Sequence, residues 1–351
     1  MTIARRLIVD RTVSSLYHCV NRCVRRAFLC GDDHDYRKDW IRDRLRELAD
    51  AFAIDVAAYA ILSNHLHVVV RTDPERAVAW TDLEVVERWS RLFPASVRTW
   101  AAKASRSPDP PDRRGAIGIV AADRDRVRLL RDRLADLSWF MKCLKEPIAR
   151  RANREDGCTG CFWEGRFKSP RLLDDTATLA GMVYVDLNLV RAGLAPTPEQ
   201  SDHTSVQDRI HVRQLFEKRK RRRKRPPARA RSFVTGVTTL RSAEDGIWLA
   251  PIAEAGDGSR SGVLPLSLDD YLTIVDATGR LIRSGKRGFI PPQLPPILER
   301  LKLDASRWSA AWHGLGRVLG TAVGSSESRA AEARRRGRGG ATGMLARLCP
   351  A

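Results

Sequence analysis

The chain has 351 residues, of which 43% are hydrophobic and 30% charged, so it is long enough to bury a sizeable core. It carries 62 Lys and Arg against 42 Asp and Glu, a formal net charge of +20. This charge indicates nucleic acid as the first class of partner and an anionic membrane surface as the second. Because it lacks an apolar run of roughly 18 residues and begins with only a short apolar stretch, the sequence predicts neither a membrane span nor a secretory signal.

The first half of the chain alternates between β-type and α-type patterns. In chain order we predict a strand over 15–24, a helix over 35–53, strands over 54–63 and 65–71 joined by a tight turn at Ser63 and Asn64, and a helix over 75–94. A Pro- and Arg-rich loop over 105–115 follows.

The predicted elements then become mainly helical. They are a helix over 122–153 that Pro147 should kink or interrupt, a strand or ordered loop over 161–169, and a helix over 174–193 that Gly193 should cap. The seven cysteines, an odd number in a long chain, are typical of reduced thiols. We therefore expect a cytoplasmic protein, associated with the nucleoid if its partner is DNA.

The composition changes after residue 217. Residues 218–231 hold ten Lys or Arg and no acid, and such a block is expected to be disordered when unbound because its charges repel one another. Residues 232–320 regain an apolar pattern, in which Ser267 is placed to cap a helix that ends near Gly279. Residues 321–351 form a second basic, Gly-rich segment, which we expect to be disordered.

Two histidines one residue apart, His65 and His67, lie in the predicted strand "HLHVVVR". Because side chains alternate along a strand, both imidazoles lie on one face, and Leu66, Val68 and Val70 lie on the other. Two imidazoles about 7 Å apart at the backbone can bind one divalent cation if a third ligand comes from elsewhere. A structural or exposed histidine pair is the competing interpretation, and the strand alone leaves both open.

Tyr184 belongs to the predicted helix over 174–193. Asn188 and Arg191 follow at four and seven residues, so the three side chains share one helical face. A face with Tyr, Asn and Arg suits phosphate chemistry. The alternative is a half-buried tyrosine with ordinary polar neighbours.

Taken together, four blocks of the sequence resemble the REP-associated tyrosine transposases of bacteria, which are single-tyrosine members of the HUH nuclease superfamily. The blocks are "YHCVNRC", "AYAILSNHLHVVV", "FWEGRFKS" and "YVDLNLVRAGL". Their order and spacing match the family over about residues 11–210. The sequence departs from the family in two respects. Leu189 stands where the family usually has Pro, so the turn after Asn188 should stay more regularly helical. The segment 88–137 is longer than in compact members.

The resemblance implies an α+β fold, an antiparallel sheet with packed helices of the ferredoxin-like HUH nuclease type. Its domain would cover residues 1–210 with an insertion at about 88–137. A basic linker over 211–231, an α-rich accessory region over 232–320 and a disordered tail over 321–351 would follow.

The resemblance also implies a transposase-type endonuclease that cleaves and rejoins single-stranded, hairpin-bearing DNA near REP elements through a 5′-phosphotyrosine intermediate. Tyr184 would be the nucleophile, and His65, His67 and Asn188 would hold Mg²⁺ or Mn²⁺. The protein would act as a monomer or a homodimer, without a membrane partner. The residues expected to contact DNA are Arg166, Phe167, Lys168, Arg191, Lys218, Arg219, Lys220, Arg221, Arg222, Arg223, Lys224 and Arg225.

Several alternatives stay open at this point. Phe167 could belong to the core together with Trp163, and His18 reads better as a packed histidine than as a ligand. Cys158 and Cys161 have zinc spacing but make only half a site. An HUH nickase for replication or transfer, or a domesticated DNA-binding protein that does not cleave, are the competing functions.

Overall fold

The computed structural model describes residues 8–105, 111–223, 248–253, 261–281 and 322–335. A five-stranded sheet in the order β2-β3-β1-β4-β5 forms its centre, antiparallel throughout except for the parallel pair β4–β5. The strands are β1 Ser15–Arg22, β2 Ile54–Ile61, β3 His65–Thr72, β4 Arg171–Leu172 and β5 Ala322–Val323. The predicted α+β class is confirmed.

The strands β2 and β3 form a hairpin whose two-residue turn, Ser63 and Asn64, lies where the sequence predicts it. The Leu62 N–H donates to the His65 carbonyl at 2.9 Å and closes the turn. The strand β1 pairs with the other edge of β3 over eight residues. The strand that carries the two histidines is therefore the second of the sheet, held on both sides.

The sheet is buried on both faces. Leu66, Val68 and Val70 join the core on one face, as their alternation predicts, together with residues of the helices α1 (Arg37–Ala51) and α7 (Leu137–Glu155). Val69 lies on the histidine face, where it packs with residues of helix α8 (Asp175–Asp186) in a second core. The histidine face is thus an internal surface rather than an exposed one.

Two predicted helices are divided by side-chain caps that begin a new helix. The helix predicted over 75–94 becomes α2 and α3, since Thr81 and Glu84 form a capping box. The helix predicted over 122–153 becomes α6 and α7, since the Asp136 carboxylate accepts from the Trp139 N–H at 2.9 Å. The bounds of this helical layer are α2 Pro74–Ala79, α3 Asp82–Leu92, α4 Pro94–Ala104, α5 Arg113–Ala121 and α6 Arg124–Leu134.

Helix α7 continues through Pro147, so of the two effects expected from the sequence, a kink or an interruption, the interruption is wrong. A proline leaves the carbonyl four residues earlier without its helical donor. Here that carbonyl belongs to Cys143, and the Arg44 Nε–H donates to it at 3.0 Å. The side chain of a neighbouring helix therefore replaces the missing hydrogen bond.

The predicted helix over 174–193 is divided at Leu187 into α8 and the short helix α9 (Asn188–Arg191). Gly193 adopts a φ of 72° just beyond α9, and the Leu194 N–H donates to the Leu189 carbonyl at 2.9 Å. The glycine cap is therefore where the sequence predicts it, because glycine adopts this left-handed conformation without steric cost.

The later parts of the chain pack onto the same two cores. Helix α10 (Ser205–Arg223) runs through the boundary predicted at residue 210, so residues 218–223 are helical, and residues 224–231 lie outside the described residues. Helix α11 (Leu268–Leu281) is capped by Ser267 as predicted, and its Tyr271 and Ile274 lie in the second core.

The expected tail contains structure instead of disorder between residues 322 and 335. The strand β5 pairs with β4, and helix α12 (Ser326–Arg335) follows it. Ion pairs hold this segment, because Glu332 accepts from Arg171, and Arg335 pairs with Asp10. Among the described helices, none is both long and apolar enough to cross a membrane.

A buried carboxylate joins three helices around the histidine face. Asp186, the last residue of α8, accepts the Ser205 hydroxyl and the Val206 N–H at the start of α10. It also accepts the Tyr271 hydroxyl of α11 at 2.5 Å. Burial raises the pKa of Asp186 to about 6, although these hydrogen bonds and the charge of Arg209 favour the carboxylate.

Replacing this carboxylate should destabilise the fold. Asp186→Ala leaves the buried Val206 N–H and Tyr271 hydroxyl without this acceptor, whereas the Ser205 hydroxyl keeps the Tyr59 carbonyl at 3.3 Å, so we expect the free energy of unfolding to fall by about 3 kcal/mol. Thermal unfolding followed by circular dichroism measures the change. Asp132→Ala, at an exposed position of α6, is the matched control and should change the free energy of unfolding by less than about 0.5 kcal/mol. Equal effects of the two substitutions would refute the role of Asp186 as an anchor.

Candidate active site

Three imidazoles lie side by side on the internal face of the sheet. His65 and His67 come from β3, and His18 comes from the paired strand β1, where it is opposite Val69. The ring centroids of His65 and His67 are 4.9 Å apart, and those of His18 and His67 are 5.1 Å apart. The register of the two strands therefore creates a row of three histidines, of which the sequence predicts only two.

Each of the two β3 histidines forms a hydrogen bond through its Nδ1. His65 Nδ1 lies 2.6 Å from the Asn64 side-chain oxygen, and His67 Nδ1 lies 2.9 Å from His18 Nε2. When Nδ1 carries the proton, the Nε2 lone pair of the same ring is available to bind a cation. Histidine ligands in metal sites commonly donate their second ring N–H in this way, which fixes the tautomer and the ring orientation.

Burial keeps these imidazoles neutral at pH 7. It lowers the pKa of His18 to about 4. Burial and, to a lesser extent, the charge of Arg22 lower the pKa of His65 to about 4. The pKa of His67 lies well below its usual range, because of burial first and the neighbouring charges second. Neutral imidazole is the form that binds a metal ion.

Tyr184 of α8 packs directly against this row. Its ring centroid is 5.6 Å from that of His67 and 5.7 Å from that of His18, both in edge-on geometry. The Arg191 guanidinium lies 5.2 Å from the centroid of the same ring. The structure therefore brings Tyr184 to the histidine face within one chain, which is the juxtaposition that the sequence predicts.

These side chains open onto a cavity of about 480 Å³, which we call the histidine cavity. Asn188 lines it at the start of α9 and is buried, so its amide shares this space with both β3 histidines and Tyr184. Its exposed charged side chains are the cations Arg22, Arg26, Arg166 and Lys168 and one acid, Glu164. The residues that line the cavity are His18, Val20, Asn21, Arg22, Arg26, His65, His67, Glu164, Gly165, Arg166, Lys168, Pro170, Tyr184 and Asn188.

The other residues that the sequence predicts to contact DNA differ in their exposure. Arg166 and Lys168 are exposed at the histidine cavity. Phe167 is only 8% exposed and belongs to the core together with Trp163. This agrees with the alternative that Phe167 packs in the core instead of stacking on a base. Of the basic block, residues 218–223 continue helix α10 with Arg219 exposed, whereas Lys224 and Arg225 lie outside the described residues.

The cysteines do not assemble the zinc site considered from the sequence. Cys158 and Cys161 are exposed, while Cys19 and Cys23 are buried in the core. Cys23 instead forms its thiol contact with Cys30, which raises its pKa. Within the described ranges, the one group of three or more His, Cys, Asp or Glu side chains whose ligand atoms lie within 4.8 Å of one another is His34, Glu155 and Asp156, and both of its acids pair with Arg37.

His18 is the site residue that sequence reasoning missed. It is packed, as expected, but it also holds the Nδ1 of His67. The signal that could have found it is the pattern of β1: His18 and Val20 alternate with the buried residues Tyr17 and Cys19, so they lie on the opposite face. Only the register with β3 places His18 beside His67.

Comparisons with known proteins add little to this geometry. No protein-family model matches the chain, and no curated protein matches it. Among solved structures, the chain is similar to that of a REP-associated tyrosine transposase bound to a REP hairpin. The identity is 13%, the TM-score is 0.32, and the match covers 68% of this chain and 99% of the other. At this level of similarity, no function is carried over from that structure to this chain.

The buried histidines should make stability depend on pH. The folded pKa of His18 is about 4 against 6.5 for the unfolded chain, so unfolding takes up a proton below pH 6.5. The stability that neutral His18 contributes is therefore complete above about pH 6.5 and is lost as the pH falls towards 4. We expect the melting temperature to decrease between pH 7 and pH 5, and His18→Asn to weaken this dependence.

His211 provides the matched control, because it is exposed on α10. His211→Asn should leave the pH dependence of the melting temperature as in the wild type. If His18→Asn and the wild type lose the same number of degrees between pH 7 and pH 5, the assignment of His18 as a buried neutral imidazole is wrong. The same burial lowers the pKa of His65 from 6.5, the value of an exposed histidine, to about 4, so His65 stays neutral over a wider pH range.

Proposed function

We propose that the chain cleaves and rejoins single-stranded DNA through a covalent bond between Tyr184 and a 5′-phosphate. The observation that carries the proposal is the contact of Tyr184 with His18 and His67, the two buried members of the histidine row, at a cavity whose lining includes four exposed Arg or Lys side chains. A structural tyrosine would account for the ring contact. It would not account for an internal face that holds three imidazoles and opens towards cations.

The reaction is a transesterification at phosphorus. The Tyr184 hydroxyl attacks the scissile phosphate and loses its proton, and the bond from phosphorus to the 3′ oxygen breaks. That oxygen takes up a proton and leaves as a free 3′-OH. The phosphotyrosine keeps the bond energy, so attack by another 3′-OH reverses the step and rejoins DNA without a further energy source.

The donor set around Tyr184 fits a divalent cation such as Mg²⁺ or Mn²⁺. In the tautomers in which Nδ1 donates, to the Asn64 oxygen from His65 and to His18 Nε2 from His67, the Nε2 of both rings is available, and Asn188 adds an amide oxygen to the same cavity. A cation bound there would polarise the scissile phosphate. The ring orientation of His67 is set by His18, which makes His18 a positioning residue in this proposal.

The cations around the cavity would bind the DNA backbone. Arg166 and Lys168 are exposed at the opening, and Arg191 lies against the Tyr184 ring, next to the position that the attacked phosphate would take. Backbone contacts of this kind fix the register of a strand without reading its sequence. The natural target, which we propose to be a hairpin-bearing single strand, would then be recognised by shape and by unpaired bases.

The nucleophile is tested by substitution. With a single-stranded oligonucleotide and Mn²⁺ or Mg²⁺, the wild type should form a covalent protein–DNA adduct, and Tyr184→Phe should form none, because it lacks the attacking oxygen. Tyr36→Phe is the matched control, since Tyr36 is exposed and lies outside the histidine cavity. Denaturing electrophoresis of labelled DNA measures the adduct. An adduct that persists in Tyr184→Phe would exclude Tyr184 as the nucleophile.

The basic block at the end of α10 is tested by the salt dependence of binding. Replacing the eight cations of residues 218–225 with Gln should lower the slope of log K against log salt by about 0.7 for each phosphate of a single strand that these cations neutralise. Arg124→Gln with Arg128→Gln, two exposed positions on α6, should leave the slope unchanged. Fluorescence anisotropy at several salt concentrations gives the slopes. An unchanged slope in the variant with eight substitutions would show that this block does not bind DNA.

A further inference from the structure

Two further cavities continue from the histidine cavity along helix α7. The first, of about 490 Å³, shares Gly165 and Arg166 with the histidine cavity. The second, of about 580 Å³, shares Lys142 and Glu146 with the first. The three cavities are therefore adjacent, and the series runs from the cavity at Tyr184 to the helices inserted between β3 and β4.

We call the two cavities beyond the histidine cavity the α7 groove. Its lining combines indole and phenyl rings with cations. Its described lining includes six Lys or Arg, namely Arg44, Lys142, Lys145, Arg150, Arg154 and Arg166, and one acid, Glu146, which pairs with Arg150. Its aromatic residues are Trp89, Phe93, Trp100, Trp139, Trp163 and Phe167, of which Trp89, Trp163 and Phe167 are buried in the core.

The accessible rings of the groove are held in place by cations. Trp100 is half-buried, and the Arg126 guanidinium lies 4.6 Å from its ring centroid. Trp139 is also half-buried, with Arg133 at 4.3 Å and the exposed Lys142 amine at 4.7 Å from its ring centroid. Rings and guanidinium planes fixed in this way are surfaces on which nucleobases stack.

We propose that the α7 groove binds an unpaired segment of nucleic acid that continues from the strand held at Tyr184. A nucleobase can stack on a ring inside a concave surface only when its own face is uncovered. In a duplex, neighbouring bases cover these faces. The excess of cations matches the phosphates between such bases. The inference rests on the proposed function for the strand in the histidine cavity, but binding in the groove is measurable without cleavage.

The length of the groove limits the segment that it binds. The lining residues of α7 run from Ser138 to Arg154, which corresponds to about 24 Å of helix at 1.5 Å per residue. At a stacked spacing of about 3.4 Å per nucleotide, this length accepts at most about seven nucleotides. Oligonucleotides longer than this should therefore gain little further affinity from the groove.

The experiment measures binding in the full chain carrying Tyr184→Phe, so that no cleavage occurs. The probes are fluorescein-labelled oligothymidines of 4, 8 and 16 nucleotides, a blunt duplex of 16 base pairs, and a polyglutamate peptide as a competitor of the same charge. In this background, Trp100→Ala should weaken binding of the 8-nucleotide strand at least about fivefold, which corresponds to the lower end of a base–aromatic stacking energy of about 1–3 kcal/mol. Lys142→Gln should weaken it as well.

The chain offers matched controls for both substitutions. Trp40 is another half-buried indole that lies against an arginine, with Arg151 at 3.7 Å, but it is outside the groove. Trp40→Ala and the exposed Lys103→Gln should leave the affinity unchanged. Melting temperatures verify that each variant is folded. If Trp100→Ala unfolds the chain, Lys142→Gln at an exposed position still decides the question.

Three results would overturn the proposal. The first is an equal loss of affinity in the groove variants and their controls, and the second is a duplex affinity that depends on Trp100 as the single-strand affinity does. The third is competition by polyglutamate that equals competition by unlabelled oligothymidine, which would indicate an acidic protein partner. Failure of the wild type to form an adduct would refute the proposed cleavage, whereas the groove variants decide the groove alone.

Discussion

The position of helix α8 on the sheet depends on one buried carboxylate. Asp186 closes the helix that carries Tyr184 and binds the first turn of α10 and a hydroxyl of α11. Its Oδ1 accepts both donors of α10 and its Oδ2 accepts the Tyr271 hydroxyl, so the end of α8 is held by two other helices. Tyr184 lies two residues earlier, and its distance to the imidazoles is therefore set by the same hydrogen bonds that hold the helices together.

The second constraint is electrostatic. Three imidazoles on an internal face would repel one another if they were protonated, and the low pKa values that burial produces keep them uncharged. The positive charge of the site is carried instead by arginine and lysine at the opening, where water solvates them. Neutral imidazole nitrogens inside the cavity can bind a metal ion, and the Arg and Lys side chains at its opening can bind an anionic DNA strand. The proposed reaction requires both.

The sequence predicted the elements whose signal is local, because strand alternation and helical spacing depend on neighbouring residues. Examples are the face shared by His65 and His67, the turn at Ser63 and Asn64, and the cap at Gly193. It did not predict the contact of His18 with His67, since that contact depends on the register of two strands almost 50 residues apart. It also treated Asp136 as part of a continuous helix, because the apolar spacing on both sides outweighed a single capping residue. At Pro147 the sequence predicted a break where the helix continues. The donor that replaces the missing N–H, Arg44, comes from α1 and is not visible in the local sequence.

The strand β5 has a consequence for how the chain folds. It pairs with β4 from residue 322 onward, and Arg335 of the following helix reaches Asp10, 325 residues earlier in the chain. During synthesis the outer edge of β4 therefore has no β5 partner until residues 322 and 323 have left the ribosome, and unpaired strand edges are sites of wrong association. A nascent chain that already contains Tyr184 and all three histidines would still lack the strand that closes its sheet. The pairing of β5 with β4 is thus a late step in the folding of a sheet whose site residues all come from the first two hundred residues.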